Sequence, residues 1–455
     1  MPELLQQLHD IFTDGQSTDH IALLIIVSTI LGIFIAWNAS PWRSLLAWIA
    51  TFSIQFSAGS FHLSLSDLFI LPLGIGAFMS WMRSRNRGFS IPLPVTMFVI
   101  LFLVWGNLVT AFTLGTLPKW TWLNKDLGLI ALVIPYCSIL ILCRDRSRSE
   151  KLIQTFVSAV SIINFGGLLL YVGSLFLGFQ STVNYGGMRF EGFMLDPNSY
   201  AGLVAVTAIL QFSILNFKPK GGFGTILQLL NCCLLVTGCL LTLSRGGLLA
   251  LIAGALVLVY LTNARSVYIV ACALLAIALA VIWLSARTDL STSIERRANE
   301  RDNIDSRIDY IKQGLQMYLS SPISVATGIG IGTFIEESPR YFGDQHQIHN
   351  TYVWLLVEGG PLIFGAYLLI LYRSLKQNLW IYRHVPSLRY AASGCFCALI
   401  TIIIWCSGVE GTYHHHVWIL FAFSELLWAA SRQSVVTRQH VRTRRDFTQS
   451  YARAF

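Results

Sequence analysis

The chain is poor in charge. Only 12% of its 455 residues are Asp, Glu, Lys or Arg, whereas 54% are hydrophobic and the mean hydropathy is +0.60. Soluble domains carry about twice that charged fraction. The composition therefore excludes an ordinary soluble protein and predicts an all-α polytopic membrane protein. The first twenty residues lack a positively charged n-region, so we expect no cleavable signal peptide.

The sequence also lacks the patterns that hold disulfides, metals or nucleotides. All nine cysteines fall in apolar segments, where they are expected to be buried small hydrophobes. The Gly328–Gly332 run has no clear strand-turn-helix context, so we reject a nucleotide loop. His414–His416 are consecutive and would splay around a helix, which favours packing or acceptor contact over a metal site. The acidic residues of the long polar loop alternate with arginines that would repel a cation (Arg301, Asp302, Asp305, Arg307, Asp309). We expect no metal and no cofactor.

Apolar windows long enough to cross a bilayer predict about 12–13 transmembrane helices. They lie near 21–37, 42–58, 66–82, 93–113, 127–143, 152–177, 199–216, 225–243, 247–263, 267–285, 351–372, 390–408 and 416–431. The weakest is 42–58, which is short and runs into a Ser/Gly segment. The expected division is an N-terminal bundle of about ten helices (1–285), one long loop (286–350), C-terminal helices (351–431) and a basic tail (432–455).

Basic residues concentrate in alternate connections and in the tail, so the positive-inside rule places those segments in the cytoplasm. The long loop 286–350 then lies outside. We assign the net charge of +9 to this topology and to contact of the tail with anionic lipid, and we expect no nucleic-acid partner.

Four unusual stretches share the outer face under this topology. They are the segment from Gly186 to Asn198 with Arg189, the hairpin Ser244-Arg245-Gly246-Gly247, the long loop with Arg307, and His349-Asn350 at the start of a span.

The two short outer stretches carry arginines next to glycines. An isolated arginine at a span end is commonly an interfacial anchor. Here the other short outer connections are nearly free of arginine, and the glycines near Arg189 and Arg245 allow close approach of a ligand. Because arginine grips phosphate oxygens bidentately, the pattern favours an anionic, phosphate-bearing substrate.

The span after the long loop begins with His349-Asn350 and carries Glu358, Gly359, Gly360 and Pro361 at depth. His349 alone is commonly a helix-capping or interfacial histidine, but its position also suits a general base. Glu358 lies nine residues further along, about 13 Å deeper at helical rise. It is too deep to orient His349, and a hydrogen-bonded role inside the bundle is its default interpretation.

Taken together, these residues resemble the superfamily of O-antigen ligases and O-antigen or exopolysaccharide polymerases. The resemblance covers the C-terminal two thirds of the chain, with an earlier match at Leu65-Ser66-Asp67-Leu68. Its main elements are Arg189…Gly192…Asp196-Pro197-Asn198, Ser244-Arg245-Gly246-Gly247, Arg307, Pro322…Gly328-Ile329-Gly330 with Phe334, and His349-Asn350…Glu358-Gly359-Gly360. Thirteen spans are one more than the twelve that the resemblance implies.

The resemblance implies a GT-C-like, metal-independent, inverting glycosyltransferase of the bacterial inner membrane whose active site faces the periplasm. The donor would be an oligosaccharide on undecaprenyl diphosphate, and the acceptor a sugar hydroxyl of a glycan or glycolipid. Arg189 and Arg245 would hold the diphosphate, and Arg307 would assist. His349 would activate or position the acceptor hydroxyl. Further substrate contacts are expected from Asn198, Ser244, Asn350 and Glu358. A flippase and a chain-length regulator would be possible partners.

Three functions stay open from the sequence. A polymerase would extend one lipid-linked repeat with another, whereas a ligase would move a finished glycan to a lipid A core; the polymerase is slightly favoured by the several polar outer loops. A transporter of lipid-linked sugars predicts charges near the midplane in both halves of the chain. The clear mid-span charges here are Glu358 and Glu425, both near the C-terminus, which disfavours transport.

Overall fold

A computed structural model describes residues 40–58, 61–84, 91–118, 121–143, 145–177, 183–185, 189–217, 219, 221–262 and 302–432. Within these ranges, nine helices are long and apolar enough to cross a membrane. They correspond to nine of the predicted spans, and they confirm an all-α polytopic membrane protein. The predicted spans 21–37 and 267–285 and the tail after residue 432 lie outside the described residues.

The elements follow one another along the chain in a simple order. The N-terminal part contains α1 (Pro41–Thr51), β1 (Gln55–Ala58), β2 (Phe61–Ser64), α2 (Ile70–Arg83, after a 3₁₀ turn Leu65–Phe69), α3 (Leu93–Leu114, with a π-helical middle), α4 (Leu127–Leu142, after a π turn Thr121–Asp126) and α5 (Arg146–Leu177). Next come β3 (Asn184–Tyr185), β4 (Arg189–Phe190), α6 (Pro197–Phe217), α7 (Gly222–Leu241) and α8 (Arg245–Thr262). The long loop contains α9 (Asp302–Tyr318), α10 (Pro322–Thr327), α11 (Thr333–Glu337) and α12 (Pro339–Phe342). The chain continues with α13 (Thr351–His384), α14 (Arg389–Trp405, after a 3₁₀ turn Pro386–Leu388), a 3₁₀ turn Gly411–Tyr413 and α15 (415–432).

The predicted span 42–58 is wrong. The 11 residues of α1 rise about 16 Å at 1.5 Å per residue, which is about half of the hydrocarbon thickness. The chain then forms the antiparallel hairpin β1–β2, in which Gln55 pairs with Ser64. The backbone N–H of Gln55 donates to the carbonyl of Phe193 at 2.7 Å. The hairpin is therefore attached to the segment that carries Arg189.

The predicted span 416–431 forms α15 (415–432), which is not among the nine. Two histidines, Glu425 and Arg432 lower its mean hydropathy. Its interior residues from Val417 to Phe423 are nevertheless buried. This helix is part of the core of the bundle.

The central span is α6. It is buried over 83% of its apolar window, against 33–67% for the other eight. Gly202 lets the neighbouring α14 approach: a Cβ there would lie 2.4 Å from the indole of Trp405. The same Trp405 donates from Nε1 to the carbonyl of Asn198 at 2.9 Å. The N-terminus of α6, with Asn198, is thus fixed against α14.

Helix α13 is interrupted at Gly360, where φ is 68° and ψ is −178°, and Pro361 follows. Such a break frees backbone carbonyls inside the bundle. The carbonyls of Val357 and Glu358 accept from Ile329 N at 2.9 Å and Gly330 N at 3.0 Å. The long loop is therefore joined to the broken span by backbone hydrogen bonds.

Candidate active site

Arg189 joins three separate parts of the chain. Its Nε donates to the carbonyl of Thr242 at 2.9 Å, and its Nη2 donates to Oδ1 of Asn198 at 3.1 Å. Thr242 follows the C-terminus of α7, and Asn198 lies in the first turn of α6. Two expected site residues, Arg189 and Asn198, are therefore in direct contact.

The Ser244-Arg245 hairpin begins beside this contact, because Arg245 lies three residues after Thr242. Ser244 is buried, and its Oγ accepts from Gly247 N at 3.3 Å. Ser244 thus caps α8, which differs from the substrate contact that the sequence suggested. The half-buried Arg245 is the first residue of the helix. Leu243, just before, has a positive φ of 52°, a conformation that is uncommon for leucine and concentrates at functional sites.

Asp196 fixes the start of α6. One carboxylate oxygen accepts from Asn198 N and Nδ2 at 3.1 and 3.2 Å, and the other from Ser199 N at 2.8 Å and Ser199 Oγ. Ser199 Oγ also lies 3.3 Å from Nε2 of His414. Asp196 was part of the sequence motif but was not selected as a site residue. Its carboxylate holds the Asn198 amide that meets Arg189.

A second group of contacts gathers on the segment 406–414, on the side that the charge distribution predicts to be outside; we call this segment the outer turn. Nη1 of Arg307 donates to the carbonyl of Gly408 at 2.9 Å, and Nδ2 of Asn350 donates to the carbonyl of Ser407 at 2.9 Å. Oδ1 of Asn350 accepts from Tyr352 N and Val353 N at 3.0 and 3.1 Å. Asn350 is therefore the N-cap of α13 and a tie to the outer turn. Its side-chain oxygen is therefore already hydrogen-bonded to the backbone of α13.

His349 lies directly before this cap and is half-buried. Its pKa is lowered to about 4, first by burial and then by the positive charge of Arg307, while Asp196 acts in the opposite direction. His349, Arg307 and Asp196 are thus electrostatically linked, although they are far apart in sequence. The imidazole is neutral at neutral pH and can accept a proton.

Lys125 is a component that sequence reasoning missed. Its ammonium forms an ion pair with Glu410 of the outer turn and lies 4.8 Å and 4.7 Å from the ring centres of Trp354 and Tyr413. Its side chain is only 7% exposed, and its charge also acts on His349. The signal in the sequence was the pair Lys125-Asp126 directly before the span α4.

Glu358 lies at depth and is engaged by the protein. Its carboxylate accepts from Gly332 N at 2.8 Å, Phe334 N at 3.0 Å and Trp354 Nε1 at 2.7 Å. A substrate would have to displace these donors to reach it. We therefore interpret Glu358 as an anchor for the loop and not as the substrate contact suggested by the sequence.

Two of the three consecutive histidines share a neighbour. His414 and His416 both pack against Trp405, with ring centres 5.0 and 5.1 Å away, and His414 also meets Ser199. His415 points elsewhere and lies 3.5 Å from a carboxylate oxygen of Asp67. The expected splay therefore holds for His415 and not for the other two. In the described part of the chain, no group of three or more His, Cys, Asp or Glu side chains could hold a metal. Gly186, Gly187 and Met188, the start of the first candidate stretch, lie outside the described residues.

Residues 230–370 match the family model described as O-antigen ligase. The matched range contains Arg245, Arg307, His349 and Glu358 and excludes Arg189 and the outer turn. No curated protein shows significant similarity to the chain. The match confirms the resemblance drawn from the sequence.

Proposed function

We propose that this chain belongs to the O-antigen ligase and polymerase superfamily and transfers a glycan from undecaprenyl diphosphate to an acceptor sugar hydroxyl. The reaction would take place at the periplasmic face of a bacterial inner membrane. One observation carries the proposal: the charges of Arg307 and Lys125, from distant parts of the sequence, act on a neutral His349, and so does Asp196, which holds the Asn198 amide that Arg189 binds. Arg189 contacts the start of α6, and Arg307 binds the outer turn beside His349.

The chemistry requires positive charge where the diphosphate leaves. The acceptor oxygen forms a bond to the anomeric carbon while the bond from that carbon to the phosphate oxygen breaks. The diphosphate departs with the electron pair, and attack from the opposite face inverts the anomeric centre. We assign the leaving-group charge to Arg189 and Arg245, because preorganised guanidinium groups stabilise developing negative charge without reorganisation. In this scheme no metal is needed.

His349 takes the proton of the acceptor hydroxyl in this scheme. With a pKa of about 4 it is available as a base but weak, because a good base has a pKa near the working pH. A bound diphosphate would offset the positive field that lowers the pKa of His349. Its pKa would then rise when the donor is present, which couples base strength to donor binding.

Within the superfamily we favour a polymerase, as the number of polar outer segments suggests, and we keep the ligase as the alternative. A chromosomal deletion complemented with wild type, Arg245→Ala or His349→Ala distinguishes them. Arg383→Ala is the matched control, because Arg383 is exposed at the other end of α13.

In the deletion strain, single lipid-linked repeats without polymer indicate a polymerase, and polymer retained on the lipid carrier indicates a ligase. We expect both site variants to behave like the deletion and Arg383→Ala to behave like wild type. Normal glycan in both site variants would contradict the assigned site. Normal glycan in the deletion strain would contradict the function.

A further inference from the structure

A groove of about 840 Å³ lies beside α9, and its lining includes none of the site arginines Arg189, Arg245 and Arg307. One wall comes from the outer half of α3 and includes Trp105, Leu108 and Phe112. The opposite wall comes from the loop helices and includes Gln313, Gln316 and Tyr341. This outer groove is therefore apolar on its membrane side and polar on its loop side. Its volume is in the range of ligand sites.

Helix α9 separates the outer groove from the candidate active site. Arg307 faces the outer turn, Tyr310 stacks on His346 with ring centres 4.5 Å apart, and Gly314 lies against Ile348. Gln313 and Gln316 project from another face of the same helix. At 1.5 Å per residue they lie about 9 and 14 Å along the axis from Arg307. A ligand in the groove is thus close enough to extend around α9 toward His349.

The walls specify the chemistry of an occupant. Leu108 and Phe112 are 60% and 78% exposed on a transmembrane helix, as expected for residues that meet a lipid chain. Gln313 and Gln316 make no hydrogen bond to any residue that the structure describes, so their amides are available for hydroxyl groups. The cation of the rim, Arg340, is already paired with Glu337 at 2.5 Å. These features suit a lipid with an uncharged saccharide headgroup better than a lipid with a phosphate headgroup.

We propose that the outer groove binds the acceptor as a lipid that carries a saccharide. The lipid chain lies along α3, and the sugar hydroxyls meet the amides of Gln313 and Gln316. The term acceptor rests on the ligase alternative of the proposed function, because the acceptor of a polymerase carries its saccharide on a diphosphate. The binding itself does not rest on that function. The donor diphosphate and the acceptor would then occupy opposite sides of α9.

The test measures binding separately from transfer. Purified full-length protein in detergent is incubated with tritiated diglucosyl-diacylglycerol or tritiated phosphatidylglycerol, and the retained lipid is measured by gel filtration. Ser320→Trp fills the groove, and Leu319→Trp, 65% exposed and outside the lining, is its control. The double variant Gln313→Ala/Gln316→Ala removes the amides, with Lys312→Ala as the control on the same helix.

We expect wild type and both controls to retain the glycolipid. The two groove variants should lose affinity by about tenfold or more, as expected for two lost hydrogen bonds or a filled site. Equal retention of phosphatidylglycerol would overturn the proposal by showing an ordinary bilayer-lipid site. Unchanged glycolipid binding in Ser320→Trp would overturn it as well.

Arg245→Ala separates this proposal from the proposed function. It should retain glycolipid binding and lose glycan transfer. If Arg245→Ala transfers glycan normally, the assigned donor site fails while the binding result at the groove still stands.

Discussion

The pKa of His349 is set by its surroundings. Burial disfavours the imidazolium, and the guanidinium of Arg307 repels it, so the pKa falls to about 4. A histidine with a lowered pKa is neutral in the folded protein at any pH above that value. The residue is therefore in its proton-accepting form throughout the neutral range.

We predict that kcat/KM, which reports the free enzyme, is flat in the neutral range and falls on the acid side near pH 4. The activity is lost there because His349 becomes protonated as the pH falls through its pKa. Arg307→Gln removes the strongest repulsive charge effect, so the acid limb should move upward toward the ordinary value of about 6.5. The measurement is a pH profile of transfer by purified protein. An acid limb at the same pH in wild type and Arg307→Gln would contradict this electrostatic account.

Glu358 illustrates a buried carboxylate with a structural role. Three N–H donors converge on it, two from the loop and one from Trp354. Glu358→Gln removes the charge and places an NH₂ group against N–H donors. We predict a loss of about 1–3 kcal/mol in stability, measured by thermal unfolding in detergent, together with faster proteolysis of the loop. Glu336→Gln changes a carboxylate of the same loop that makes no hydrogen bond among the described residues. Equal effects of the two substitutions would show that Glu358 has no anchoring role.

Among the elements, the break in α13 is the point where the loop and the membrane bundle meet. Gly360 has a φ of 68°, which a side chain disfavours, and a Cβ there would lie 2.5 Å from the backbone of Thr327. The backbone strain alone costs about 1–3 kcal/mol.

We therefore predict that Gly360→Ala lowers the melting temperature clearly and weakens transfer. Gly365→Ala is the matched control five residues away, because a Cβ at Gly365 meets nothing within 4 Å. That substitution should be neutral or slightly stabilising, since alanine favours the helix. Thermal unfolding of both variants in detergent gives the comparison. Similar melting temperatures would mean that the break tolerates a side chain.

The long apolar spans were predictable because their composition fixes both their type and their position. The prediction 93–113 corresponds to Leu93–Leu114, and 199–216 to Pro197–Phe217. The prediction 351–372 ended too early, because α13 continues to His384. Its Arg373 pairs with Glu425, with Nε and Oε1 2.7 Å apart, so a charge inside the helix is accommodated by α15. A window of apolar residues cannot detect such a partner.

The candidate site was predictable in part. Arginines and a histidine on the outer face could be selected from residue type and topology. The outer turn could not, because its role rests on backbone carbonyls of Ser407 and Gly408 that bind residues far away in sequence. Lys125 and Glu410 were missed for a similar reason. Neither belongs to a motif, and the role of each depends on the ion pair that they form in the folded chain.

For the whole molecule, the topology leads to a labelling prediction. The eight cysteines that the structure describes are buried or half-buried, so their background reaction with a maleimide should be low. Gln345 is exposed in the loop that we predict to lie outside, and Arg383 is exposed at the other end of α13, so the two test positions are Gln345→Cys and Arg383→Cys. In spheroplasts, a membrane-impermeant maleimide should label the first directly and the second only after permeabilisation. The reverse result would invert the assigned orientation.

The junction between the loop and α13 is made by main-chain atoms: Ile329 N and Gly330 N bind the carbonyls of Val357 and Glu358. Loop side chains between Arg307 and His349 are therefore free to diverge as long as Gly328 and Gly360 keep the two backbones in contact. Segment 308–347 can thus be exchanged as one unit while Arg307 and His349 are retained. Under the proposed role of the outer groove, such an exchange would alter acceptor preference and leave the membrane bundle and the site residues unchanged.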